Sequence, residues 1–150
     1  MYVADDVRRG DEERNGDKGM RKILFRGRRK DNGERVEGSL MQTNMGLCHI
    51  MSHTHIPRIQ TVATFAGYEC VAVVPETVGQ YTDKNDPNGK KIFEGDIVTE
   101  GGLVAEVRWD DRHARFYYVT STASVGLYGF VGQVIGDIHT TPELLKEKPQ

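Results

Sequence analysis

Hydrophobic positions in this chain fall into short alternating runs separated by turn-forming residues, the pattern of a β protein rather than a helical one. Residues 21–27 alternate, which places Ile23 and Phe25 on one face and Lys22, Leu24 and Arg26 on the other. Asp31-Asn32-Gly33 supplies side chains that tolerate positive φ, and residues 35–40 return with Val36 and Leu40 on one face, so 21–40 predicts a hairpin. Residues 45–60 carry three histidines, Pro57 and few alternating positions, and read as a loop or irregular excursion. Residues 69–74 are β-branched and apolar enough for a buried strand. Residues 84–89, Lys-Asn-Asp-Pro-Asn-Gly, form a turn by composition. Residues 103–109 alternate again, Asp110, Asp111 and Arg112 turn into a strand over 115–120, and 134–138 is the last strand. Residues 142–145 predict one helical turn, with Thr141 as N-cap and Pro142 at the first helical position.

These elements define a mostly β (α+β) fold: a partly open barrel with an additional hairpin and a short C-terminal helix. The step Gly95-Asp96-Ile97-Val98, then a strand ending in Trp109 and another holding Phe116 and Tyr118, has the rhythm of an SH3-like barrel. Asp96 reads as a turn residue that satisfies backbone amides. No second carboxylate or histidine stands at a fixed short spacing to share acid–base chemistry with it.

Composition sharpens the boundaries. Ahead of Met20 lie six acids, four bases, three glycines and few apolar side chains, which cannot offset the entropy of ordering, so 1–19 reads as a disordered tail and 20–150 as one domain. One account makes Met20 the biological start; the rival account is a regulatory tail. No run of about 18 apolar residues occurs to span a membrane. The start lacks the basic-then-apolar order of a secretory signal, so a cytoplasmic location is expected. Cys48 and Cys70 are too few for a disulfide framework. The formal net charge of -2 argues against a dedicated nucleic-acid binder, since from Met20 onward sixteen bases meet sixteen acids.

Several blocks carry a resemblance. Residues 20–27 (Met-Arg-Lys-Ile-Leu-Phe-Arg-Gly), Asp31-Asn32-Gly33 with Val36-Glu37-Gly38, the stretch 75–98, and Val134-Ile135-Gly136-Asp137-Ile138 with Pro142-Glu143-Leu144-Leu145 resemble, in order, the YopX family of phage and prophage proteins. Residues 1–19 lie outside it and 41–70 fit it poorly. The resemblance implies a small cytoplasmic protein of a bacterial host cell, of phage or prophage origin, with an SH3-like barrel. The family has no established activity, so no functional residue is carried over.

Three constellations are candidates for function. The basic run Arg21, Lys22, Arg26, Arg28, Arg29 and Lys30 could neutralise phosphates with Phe25 stacking on a base, or form the solvated face of a strand. Cys48, His49, His53 and His55 bring thiolate and imidazole donors that suit zinc, though their spacing matches no standard module. Tyr117 and Tyr128, if exposed side by side, would line a peptide groove. No nucleophile elbow or phosphate-binding glycine loop occurs. The expectation is a non-enzymatic phage accessory module without cofactors that binds a host or phage protein. Nucleic-acid binding through 21–30, or a metal-dependent enzyme on the histidine segment, are the alternatives. Self-association through an open strand edge is also expected.

Overall fold

The first hairpin forms around the Asn32-Gly33 pair. In this computed structural model, which describes residues 20–55, 64–65, 68–120 and 122–146, β1 (Phe25–Arg28) pairs antiparallel with β2 (Arg35–Gln42). Gly33 adopts φ +74° in the connecting turn, a conformation glycine takes without steric cost. The tail expected over 1–19 lies outside the described residues. The faces of β1 differ from the simple expectation: Leu24 and Arg26 are buried, Phe25 is half-buried and Ile23 is exposed. The Arg26 side is the covered one because the second sheet packs there through Asp96.

The loop expected over 45–60 is instead, in its first half, a strand. β3 (Cys48–His55) lies between β2 and β5 (Tyr68–Ala72), with β4 (Thr64–Phe65) outermost. Cys48 and Ile50 are buried while His53 is exposed, so the two-residue period holds with histidine as the outward residue. After a 3-10 turn at Pro75–Thr77 come β6 (Gly79–Asn85) and β7 (Lys91–Phe93), which complete a seven-stranded antiparallel sheet in the order β4-β5-β3-β2-β1-β6-β7.

Gly95, at φ +89°, turns the chain into the second sheet. Here β8 (Asp96–Glu100), β9 (Leu103–Asp110), β10 (Arg115–Val119), β11 (Ser124–Gly126) and β12 (Gln133–Asp137) run antiparallel in the order β11-β10-β9-β8-β12. Between β11 and β12 a 3-10 turn, Leu127–Gly129, carries the chain across the inner face and plants Leu127 and Phe130 in a core with Ile92, Val98, Ala105 and Val107. The Glu100 carboxylate pins this crossing, accepting from Tyr118 Oη at 2.8 Å and from the Val131 amide at 2.9 Å. A second core gathers Cys48, Ile50, Val71 and Val73 on the seven-stranded sheet, and a third joins Leu24, Tyr81 and Phe93.

The fold is therefore mostly β, in two antiparallel sheets, and the sheets do not close into a barrel. The C-terminal turn is a 3-10 helix, Pro142–Leu145, and the expected Thr141 cap is not made. The Thr141 hydroxyl is engaged elsewhere, accepting from the Asp137 amide at 3.2 Å and donating to the Asp137 carbonyl at 3.3 Å.

Candidate functional site

Where the sheets meet, β1 and β2 present arginines and β8 and β12 present aspartates. Arg26 donates to Asp96 Oδ1 at 2.7 Å, and its guanidinium stacks 4.5 Å from the centroid of the Phe93 ring. Asp96 Oδ2 accepts the Phe93 amide at 2.8 Å, so the carboxylate satisfies a backbone group at the turn as expected and also serves as counter-ion to a buried cation. Burial pushes the Asp96 carboxyl up, against the pull of Arg26 and the Phe93 amide. The buried pair is thus a device for fixing the two sheets, made at a cost in desolvation.

Beside this pair a small recess is lined by Arg26, Gly27, Arg28, Arg35, Thr77, Asp137 and His139. Asp137 is part of this lining, and its carboxylate accepts from Arg35, from the amides of His139 and Thr140 at 2.9 Å each, and from Thr140 Oγ1 at 2.7 Å. Arg28 reaches Thr140 Oγ1 and donates to the Gly33 carbonyl at 2.9 Å, while its backbone amide donates to Thr77 Oγ1 at 2.9 Å. Burial pushes the Arg35 guanidinium below its usual value, with Arg26 and Arg28 repelling its charge. Burial likewise lowers the His139 imidazole, and the same two arginines add to the effect. The space available to the centre of a water molecule is about 10 Å³, room for roughly one water.

The basic run of 21–30 is dispersed by this arrangement. Arg26 turns inward to Asp96. Arg29 pairs with Asp31 at 2.8 Å and Glu69 at 2.8 Å, and the Asp31 bond leads the causes that hold its guanidinium above its usual value. Arg21, Lys22 and Lys30 are exposed, and Arg28 stands at the recess. Sequence reasoning missed Arg35, Thr77, Asp137 and His139. An Asp followed at three and four residues by Thr140 and Thr141 is a legible side-chain turn, but nothing local tells that Arg35 comes to it.

Strand β3 divides the histidine segment between two faces. On β3, Cys48 points into the core while His49 and His53 belong to the opposite face; of His55 only the backbone pairing with Tyr68 is described. His53 Nε2 lies 2.8 Å from Ser39 Oγ. Among the described residues no group of three His, Cys, Asp or Glu is placed to hold a metal ion.

The aromatic pair fares differently. Tyr117 is the register partner of Gly126 across β10 and β11, and Tyr128 Cδ1 stands 3.2 Å from where a Gly126 side chain would begin, with Arg115 Nη1 at 3.0 Å from the same point. The bare glycine thus lets Tyr117, Tyr128 and Arg115 converge on one patch. Tyr128 is 85% exposed and Tyr117 half-buried. Lys84 Nζ donates to the Tyr128 carbonyl at 2.7 Å, which ties the backbone of this residue to β6. On the inner face of the same sheet Tyr118 stacks edge-on against Phe130, centroids 5.4 Å apart, and burial with the Glu100 bond pushes its phenol up to about 12.

The chain belongs to the YopX family: the family model described as YopX protein matches residues 24–146. Among solved structures, the crystal structure of protein EF1440 from Enterococcus faecalis is similar, at 23% identity and a TM-score of 0.48, covering 84% of this chain and 99% of that one. No curated protein matches the chain. Among the described residues no helix is long and apolar enough to cross a membrane.

Proposed function

We propose that this YopX-family chain is a non-enzymatic binding module that docks a protein partner on the patch formed by Tyr128, Tyr117 and Arg115. The observation that carries the reading is Tyr128, a large ring 85% exposed yet held against Gly126 with Arg115 alongside and Lys84 on its carbonyl. Tyr and Arg are the residue types that dominate binding energy at protein interfaces, and a tyrosine has only two side-chain torsions to fix on docking. The five-stranded sheet with its 3-10 crossing is read as an SH3-like unit whose aromatic patch takes an extended segment of the partner. The likeness to phage and prophage proteins makes a phage or host protein in the bacterial cytoplasm the natural partner. Protein is favoured over nucleic acid because Arg26 and Arg29 of the basic run are committed to carboxylates.

The test places a photo-cross-linking phenylalanine analogue at position 128 and irradiates the protein in host lysate at low and high salt. A discrete protein adduct that survives high salt and disappears with Arg115→Glu supports the reading. Capture of nucleic acid alone, lost at high salt, or an adduct indifferent to Arg115→Glu contradicts it.

A further inference from the structure

Three guanidiniums, those of Arg26, Arg28 and Arg35, line the recess between the sheets, against two carboxylates, those of Asp96 and Asp137. Like charges gathered this closely cost free energy unless an anion sits among them. The two carboxylates are already engaged: Asp96 by Arg26 and the Phe93 amide, Asp137 by Arg35, two backbone amides and the Thr140 hydroxyl. A guanidinium carries five N–H donors, and the bonds described for Arg28 and Arg35 occupy only some of them. The His139 ring completes the lining, while the Thr77 hydroxyl is spent within it, donating to the Val74 carbonyl at 2.6 Å and accepting the Arg28 amide at 2.9 Å.

We propose that this recess binds the terminal phosphoryl group of a phosphate or phosphomonoester, held by Arg28 and Arg35 at the mouth with the His139 ring beside it. Size sets the class of ligand. A space that admits about one water takes a single phosphoryl oxygen while the rest of the group stays at the mouth, and it excludes a sugar or base. Planar guanidinium forks match phosphoryl oxygens two at a time. Burial first, and then the repulsion of Arg26 and Arg28, holds the Arg35 guanidinium below its usual value against the pull of Asp96 and Glu37. The site is separate from the Tyr128 patch and independent of what docks there.

The experiment is calorimetric titration of the full chain with inorganic phosphate, a simple alkyl phosphomonoester and a dialkyl phosphodiester, in chloride at matched ionic strength. Phosphate and monoester are expected to bind alike, the diester at least 10-fold more weakly, and Arg28→Gln and Arg35→Gln each to weaken phosphate by 10-fold or more. Arg21→Gln, outside the recess, is the control and should leave binding unchanged. The bonds described for the Arg28 side chain go to the uncharged Gly33 carbonyl and Thr140 hydroxyl, so Arg28→Gln decides the matter even if Arg35→Gln, which strips Asp137 of its cation, fails to fold. No heat above the chloride control, equal binding of the diester, or a loss with Arg21→Gln as large as with Arg28→Gln would overturn the proposal.

Discussion

At Arg26 a guanidinium leaves water for the carboxylate of Asp96 and the ring of Phe93. Removing either charge alone strands the other, so Arg26→Met or Asp96→Leu should each cost about 3–5 kcal/mol, whereas the double replacement should cost only the orphaned Phe93 amide, about 1–3 kcal/mol. Urea unfolding followed by the fluorescence of Trp109, which packs edge-on against Phe116 in the five-stranded sheet, measures all three; equal costs for singles and double would contradict the account. Asp86 works differently. Its carboxylate accepts the amides of Asn88 and Lys90 at 2.9 Å within its own turn and of Val134 at 3.2 Å on β12. Burial alone pushes this carboxyl up, but the amides of Lys90, Val134 and Asn88 outweigh it and hold it below the usual carboxylate value. A depressed acid contributes stability that is complete above its unfolded value, near 3.8, and is lost as pH falls through the folded one. Asp86→Ala should therefore cost about 1–3 kcal/mol at pH 7 and progressively less below pH 4; urea midpoints at pH 7 and pH 3 check it, and a cost unchanged between them would refute it. The composition of 84–89 announced a turn. That its Asp also reaches β12, 48 residues on, was not readable, because only the fold brings Val134 there.

Among the elements, β3 separates what the chain discloses from what it conceals. Residues 38–57 contain no Asp, Glu, Lys or Arg, so the charged-out, apolar-in contrast that reveals a strand is missing, and histidines occupy the outward positions. Had the strand been recognised, its period alone would have placed Cys48 on the face opposite His49 and His53, parting the thiolate from those two imidazoles. The 31–33 turn and the strands over 103–109 and 115–120 were legible because turn chemistry and period agree there. Gly38 shows a constraint invisible locally. A side chain there would begin 1.8 Å from the Met51 carbonyl oxygen, so Gly38→Ala must push β2 from β3 and should cost roughly 3 kcal/mol or more. Gly33→Ala, strained by φ +74° but facing open space, should cost about 1–2 kcal/mol. Thermal unfolding of the two variants gives the comparison; a Gly38→Ala protein as stable as the parent would mean that the strands do not approach in this way.

For the molecule as a whole, the sheets are joined by the chain at Gly95, by Arg26–Asp96, by Asp86 on β12, and by the arginines of the recess. At this joint and beside it two members of the basic run, Arg26 and Arg29, serve as counter-ions for carboxylates far along the chain, Asp96 and Glu69. The surface proposed here for recognition of a protein is the Tyr128 patch. Strand alternation turned only Tyr117 outward; Tyr128, in a 3-10 turn, was a candidate on the condition that it stood beside it, and Arg115 and the gap at Gly126 needed the register of β10 against β11. The most direct measurement is the affinity of the cross-linked partner, once isolated, for the parent chain and for Tyr128→Ala. Since the ring is 85% exposed, the substitution should leave stability within about 0.5 kcal/mol while weakening binding at least 10-fold, about 1.4 kcal/mol or more. Unchanged affinity in a folded Tyr128→Ala protein would contradict the claim that this patch is where the module binds.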